Sequence, residues 1–448
     1  MINWLVVDKP DAFAGLSNYL PPDFGLQEVV DWLRDNMSQA VGGLLVEYPY
    51  VDKDYRSTYY HYYAKKGASY SPHSARLHLF RSGWELTESP VTLSQPAEGT
   101  SPDDDAVGKG YLGFIALRPT RIYTIGRTVL HPEAVRGAHG WLIEHRHKAH
   151  VMGYRVHVKG FPFMQQHSDI AVCAHTACWA ILRHYSERYA LYREVLVHDV
   201  SKLGREFDPG GLLPSLGITA RDAERIFAAV GTFPLLVGHY VSNDGGSRFY
   251  DELLAYLDSG FPLFGIQSKR GHAVAVVGYR KDTKPQVAAT EYMHRAWDYV
   301  SHLLVVDDNY SPYLPVPRVK ATSKGYTIDD IDGFIVPLPE KMFLPAAAAF
   351  KFGKELTSSP PDGFEELETC TELVTRCFVT TTASWHRFVR QHATQLPAEF
   401  ATAALELTMP QSFGLWSTRR LSSEPRTKCR PASCSMRRLV RMTRSLRS

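Results

Sequence analysis

The sequence predicts an α+β protein. Three observations carry the prediction. Strand formers and turn residues crowd residues 48–158 of the 448, a run of helices follows from near residue 173, and further strands come after those helices instead of alternating with them. A chain of this length, 44% apolar and 12% aromatic, can build two or three proper cores and is unlike a disordered or fibrous sequence.

Taken in order, LQEVVDWLRDNM near the N-terminus places Leu26, Val29, Val30 and Leu33 on one face of an amphipathic helix. From Tyr48 to Val158, the segments YRSTYYHYYAKK, ARLHLFRSGWELT, YLGFIALRPTRIYTIGRTVLHP and GWLIEHRHKAHVMGYRVHV read as strands. QPAEGTSPDDDAVGKG, residues 95–110, is a polar loop between them. A Cys-bearing helix is expected over about 173–189. ITARDAERIFAAVG is a second helix, with Thr219 as N-cap and Gly231 as stop; Gly210, Gly211 and Pro214 before it shape either a substrate-facing loop or a connector. DELLAYLDSGFPLFGIQS reads as helix, turn and strand, and GHAVAVVGY and SHLLVVDDNYSPY as two more strands. AAAAFKFGKEL and the segment Glu365 to Leu407 read as helical. The expected plan is a mixed β-rich domain (1–158) of unassigned role, an α+β domain (159–345), a helical C-terminal extension (346–417) and a basic, disordered tail (418–448).

Composition narrows the function. Six cysteines, at 173, 178, 370, 377, 429 and 434, are too sparse and uneven for a disulfide framework and lack zinc-ribbon spacing, which suits a reducing compartment. Asp8 and Lys9 interrupt what a secretory signal would need as an apolar run, and no apolar stretch reaches membrane-spanning length, so a cytoplasmic protein without a membrane span is expected. The tail from Thr418 carries nine Arg and one Lys against one Glu in a chain of net charge +3. It is too poor in apolar residues to order itself, and no specific nucleic-acid binding is expected of it. His145, His147, His150 and His157 lie in alternating strand-like surroundings without a Cys or carboxylate set, and read as polar strand faces instead of metal ligands. The Tyr-rich segment EYPYVDKDYRSTYYHYY is equally a binding surface or cross-strand packing.

Chemistry concentrates elsewhere. A thiol nucleophile needs a base, a group to orient that base, and donors for an oxyanion. Cys173 heads a helix, where orphan amides and the macrodipole favour a thiolate. His272 starts a strand behind Gly271, Asp307 and Asp308 end the next strand, and Gln165 and Gln166 stand just upstream of the cysteine. Each also has a plain structural reading: a packed thiol, a hydrogen-bonded core His, a turn carboxylate.

The segment FPFMQQHSDIAVCAHTACWAIL resembles the nucleophile region of papain-like cysteine peptidases, above all the bacterial peptidases that process double-glycine leaders. GHAVAVVGY is similar to that family's His strand, and VVDDNYSPY to the strand bearing the orienting Asp or Asn; the likeness covers about Val158 to Tyr313. It implies a papain-like thiol-hydrolase domain in which a helix-borne Cys packs on an antiparallel sheet carrying His and Asp. It implies Cys173, His272 and Asp307 as catalytic residues, with Asp308 as alternate to Asp307, Asn309 as a third possibility, and Gln166, ahead of Gln165, at the oxyanion. Gln166 stands seven residues before Cys173 and twelve before Cys178, although Cys178-Trp179-Ala180 matches the Cys-Trp-Ala of papain. On a helix, five residues at about 100° each turn the two thiols about 140° apart, so Cys178 is read as core packing. Ala174-His175 departs from the Gly-Pro common in leader peptidases and puts a second titratable group near the thiol.

The expected function is therefore a cysteine peptidase-like hydrolase that cleaves a peptide or amide bond through a thioester, with a peptide or protein substrate and no cofactor or metal. The same triad serves an acyltransferase of transglutaminase type, and a papain-like scaffold without catalysis is the remaining alternative.

Overall fold

The computed structural model describes residues 2–66, 69–83, 110–151, 154–166, 173–204, 218–239, 247–286, 293–319, 325–339, 346–358, 373–394, 396, 398–407, 409 and 412–420. Most of the 95–110 loop, Gly210, Gly211, Pro214, the stretch 167–172, Cys370 and the tail from residue 421, with Cys429 and Cys434, lie outside the described residues. The fold is α+β, and the chain divides into two compact units. One comprises Met1–Val237, Pro262–Lys281 and Ser301–Pro337; the other comprises Gly238–Phe261, Asp282–Val300 and Leu338–Ser448.

The first unit holds two sheets. One runs in the order β1 (Ile2–Val6), β2 (Val41–Tyr50), β3 (Ser74–Arg81), β4 (Tyr111–Leu117), β5 (Ile125–Leu130), β8 (Tyr154–Phe163) and β7 (His145–Val151), with every neighbour antiparallel. Leu45, Phe80, Tyr111, Phe114, Val129, Ala149, Val151, Val156 and Val158 form one of its buried clusters, with Trp4 packed against it. The other sheet runs β14 (Leu314–Pro317), β13 (Val300–Val306), β11 (His272–Lys281), β10 (Leu263–Gln267), β15 (Gly333–Leu338) and β9 (Phe233–Gly238), with β6 (Trp141–Leu142) also paired to β11. The boundary expected at 158/159 falls inside β8, which hydrogen-bonds to β5 and β7, so the β-rich segment is no separate unit.

Helix α1 (Leu26–Asn36) buries Val29, Val30 and Leu33, the face that its periodicity marks. The Tyr-rich segment read as strand is helix α2 (Lys53–His61): the Asp52 side chain caps it by accepting from the amides of Asp54 and Tyr55, and Asp54, Tyr55 and Thr58 turn inward at helical spacing. The strand propensity of tyrosine yields there to a cap and a buried acid. The central helix α3 (Cys173–Arg188) is buried from Ala174 to Tyr185 and packs against β11, β7 and β8. Trp179 Nε1 and Arg183 Nη2 both reach the buried Asp54 carboxylate, at 3.0 and 2.8 Å, while Arg127 Nε pairs with Asp52 at 3.1 Å. Helices α4 (Val197–Leu203) and α5 (Ala220–Ala229) follow; Thr219 and Asp222 form a capping box at the head of α5, and Gly231 turns the chain at φ 98°.

The second unit has a small sheet in which β16 (Leu373–Thr381) lies between β12 (Met293–Arg295), parallel, and β17 (Ser412–Arg420), antiparallel. Helices α6 (Ser247–Asp258) and α7 (Ala346–Ser358) pack on β16, and α8 (Thr382–Gln391) and α9 (Ala398–Glu406) pack on each other. The expected all-helical extension thus contains two strands. LVTRCFVTT is rich in β-branched residues, and its partner strand takes in Thr418–Arg420, the first residues of the segment expected to be a disordered tail. Among the described residues no helix is long and apolar enough to cross a membrane.

Candidate active site

The hairpin β10–β11 places the imidazole. A 3-10 turn, Ser268–Arg270, leads into Gly271 at φ 60°, a left-handed conformation that favours glycine, and the next residue, His272, opens β11 opposite Gln267. The neighbouring strand β13 ends at Val306, so Asp307 and Asp308 emerge beside the start of β11.

His272 Nε2 lies 3.2 Å from Asp307 Oδ1 and 4.0 Å from Asp308 Oδ1. Asp307 has no exposure and is held from three sides: besides His272, the Asn309 amide donates to Oδ1 at 3.0 Å and the Tyr326 hydroxyl to Oδ2 at 2.7 Å. Asp308 is also buried, and its carboxyl oxygens accept no hydrogen bond from another described residue. Burial and the charge of Asp307 push it up to about 7.

Burial opposes a charge on His272, but hydrogen bonds to Asp307 and to Cys173, with the charges of both, raise it to about 10. The imidazole is therefore protonated at neutral pH. With Nε2 engaged by Asp307, Nδ1 is the nitrogen left for the sulfur. Cys173 is half-buried at the first residue of α3. Cys178, one turn further in, has no exposure, and burial pushes its thiol well up. His175 is buried as well.

Gln166, Cys173, His272 and Asn309 line one cleft of about 380 Å³, together with Arg270 and Tyr326. Gln166 Nε2 donates to Asn309 Oδ1 at 3.2 Å, and its second amide hydrogen remains for the cleft. Gln165 is placed otherwise. It is buried, its Oε1 accepts from the Ile125 amide at 2.9 Å, and its own amide donates to the Ile125 carbonyl. Arg118 Nη2 donates to the carbonyls of both glutamines, at 3.2 and 3.3 Å.

The first sheet and α1 reach this site through long-range hydrogen bonds of two side chains. Trp32 Nε1 donates to the Tyr310 carbonyl at 2.7 Å. The Tyr313 hydroxyl donates to the Leu130 carbonyl at 2.8 Å and accepts from the Phe161 amide at 2.7 Å. The loop that follows Asp307 is thereby tied to α1, β5 and β8 on its far side. Sequence reasoning gave Tyr326, Trp32 and Tyr313 no role: Tyr313 lies in VVDDNYSPY and Trp32 in LQEVVDWLRDNM, but their partners stand far off in sequence.

One nitrogen of His272 and one oxygen each of Asp307 and Asp308 lie within 4.8 Å of one another, close enough to share a cation; Cys173 is not a member of that group. Asp307 is already bonded on both oxygens. The other histidines divide. His150 is exposed and His157 half-buried, but His147 is buried, contrary to the polar strand face expected of it. Odd-numbered residues of β7 turn inward, and the His145 ring lies 5.8 Å from His147 and 6.2 Å from His184 of α3. Burial pushes His147 down to about 3, so it is neutral.

The chain matches no family model, no curated protein and no solved structure.

Proposed function

We propose that this chain is a papain-like thiol hydrolase that cleaves a peptide or amide bond. The observation that carries the reading is His272, held by Asp307 on one ring nitrogen, hydrogen-bonded to Cys173 and raised to about 10. An imidazolium neighbour is what makes a cysteine sulfur a nucleophile at neutral pH. In this reading the Cys173 sulfur attacks the carbonyl carbon while Gln166 and the Cys173 amide receive the oxyanion. The C–N bond breaks as the proton on His272 passes to the leaving amine. Water, deprotonated by His272, then attacks the thioester; the acid departs and the proton returns to the Cys173–His272 pair. Asp307 keeps the ring oriented throughout.

The half-buried thiol and its hydrogen bond to His272 also favour catalysis over a binding-only scaffold, for which an occluded or isolated sulfur would be expected. The test is a mass-spectrometric digest of a random peptide library by the purified chain, run beside Cys173→Ala and His272→Ala. New termini that vanish in both variants are expected. Equal cleavage by wild type and Cys173→Ala, or none by the wild type, would overturn the assignment.

A further inference from the structure

We propose that the cleft recognises an acidic peptide, a carboxylate of which is held by Arg270 beside the bond that Cys173 attacks. The inference rests on the thiol-hydrolase reading and adds the substrate class.

Arg270 ends the turn before His272, separated from it by Gly271 alone, and lines the same cleft as the thiol. Its guanidinium lies over the Tyr326 ring, 5.3 Å from the centroid, and Nη1 makes a long contact of 3.5 Å with the Gly325 carbonyl. A guanidinium resting over a ring has N–H groups to spare, and its planar fork matches the two oxygens of a carboxylate. Among the described residues no carboxylate forms an ion pair with Arg270, and the cleft is lined by Arg270 and His272 but by no Asp or Glu. Asp307 and Asp308 are buried, where they act on His272 and not on a ligand. Tyr326 connects the two functions, because the ring that supports Arg270 ends in the hydroxyl that holds Asp307. Tyr310, 43% exposed, adds an aromatic wall for the peptide's uncharged part. Arg270 is itself exposed, so such a charge pair is open to screening by salt.

The test compares alkylation of Cys173 in the full chain by iodoacetate and by iodoacetamide, followed by mass spectrometry. Both reagents form the same S–C bond and expel iodide, and they differ in charge. Dividing one rate by the other removes any change in the thiol itself and leaves the affinity of the cleft for a carboxylate. Arg270→Ala is expected to lower the iodoacetate to iodoacetamide ratio by about fivefold or more, and Arg270→Lys to keep most of it. Added salt lowers the wild-type ratio more than that of Arg270→Ala. An unchanged ratio in Arg270→Ala overturns the carboxylate site while leaving the nucleophile intact. Failure of both reagents to label Cys173 overturns the hydrolase reading, and the carboxylate site with it.

Discussion

The His272 imidazole stands 3.2 Å from the Asp307 carboxylate, and that carboxylate is wholly withdrawn from water. A charge pair of this kind is little screened by solvent, and the imidazolium it stabilises is the form that can protonate a leaving amine. Hydrolysis is therefore expected to decline as pH rises through about 10, where His272 loses its proton. Asp307→Asn removes a cause of the raised value, so the alkaline limb of the pH profile moves to lower pH by about one unit or more. Asp308→Asn, altering a carboxyl at 4.0 Å, moves it less. Equal shifts in the two variants would remove the distinction between the carboxyls.

Tyr326→Phe deletes the 2.7 Å hydrogen bond to Asp307 and leaves Oδ2 buried without that donor. The expected cost is about 1–3 kcal/mol in a urea unfolding curve. A variant as stable as the wild type would show that water or another group replaces the hydroxyl.

Iodoacetamide at mild pH should label Cys173 first. Cys178 and Cys377, both buried and both with thiols raised by burial, should react only after guanidinium is added. Labelling of Cys178 in the native chain before Cys173 would reverse the roles assigned to the two sulfurs.

The buried carboxylate of Asp54 joins α2 to α3 through Arg183 and Trp179. Asp54→Ala leaves the buried Arg183 guanidinium with Glu194 as its remaining counter-charge and removes its hydrogen bonds to Asp54, with an expected loss of about 1–3 kcal/mol. Chemical denaturation measures it, and a loss below about 1 kcal/mol would mean that the network contributes specificity without stability.

Acid should destabilise the fold partly through His147. Its folded value, about 3, lies far below the ordinary one, so the unfolded chain takes up a proton that the native chain refuses. The stability it contributes is complete above about pH 6.5 and is lost as pH falls from there toward the folded value, at about 1.4 kcal/mol per pH unit. His147→Gln should lose less stability than the wild type between pH 6.5 and 4. Parallel losses would place the acid sensitivity in other groups.

What the sequence by itself determined is local. Thr219 with Asp222 marks the head of a helix, the apolar face of α1 is readable from spacing, Gly271 marks the turn before a strand, and Cys173, His272 and the Asp307-Asp308 pair stand at element ends. Tertiary structure decided the rest. YRSTYYHYY carries the side chains of a strand and is a helix because Asp52 caps it and Asp54 finds Arg183 on α3, 129 residues away. LVTRCFVTT, expected as helix, is a strand because β17 pairs along its whole length. The near-even choice between adjacent carboxyls becomes a difference of 3.2 against 4.0 Å only when β13 is laid beside β11. The loop after Asp307 is held by Trp32 from 278 residues away and by Tyr313 across 183 residues. Periodicity and capping act over one or two turns of chain, whereas the contacts that aim His272 at Asp307 join residues that only the packed sheets bring together.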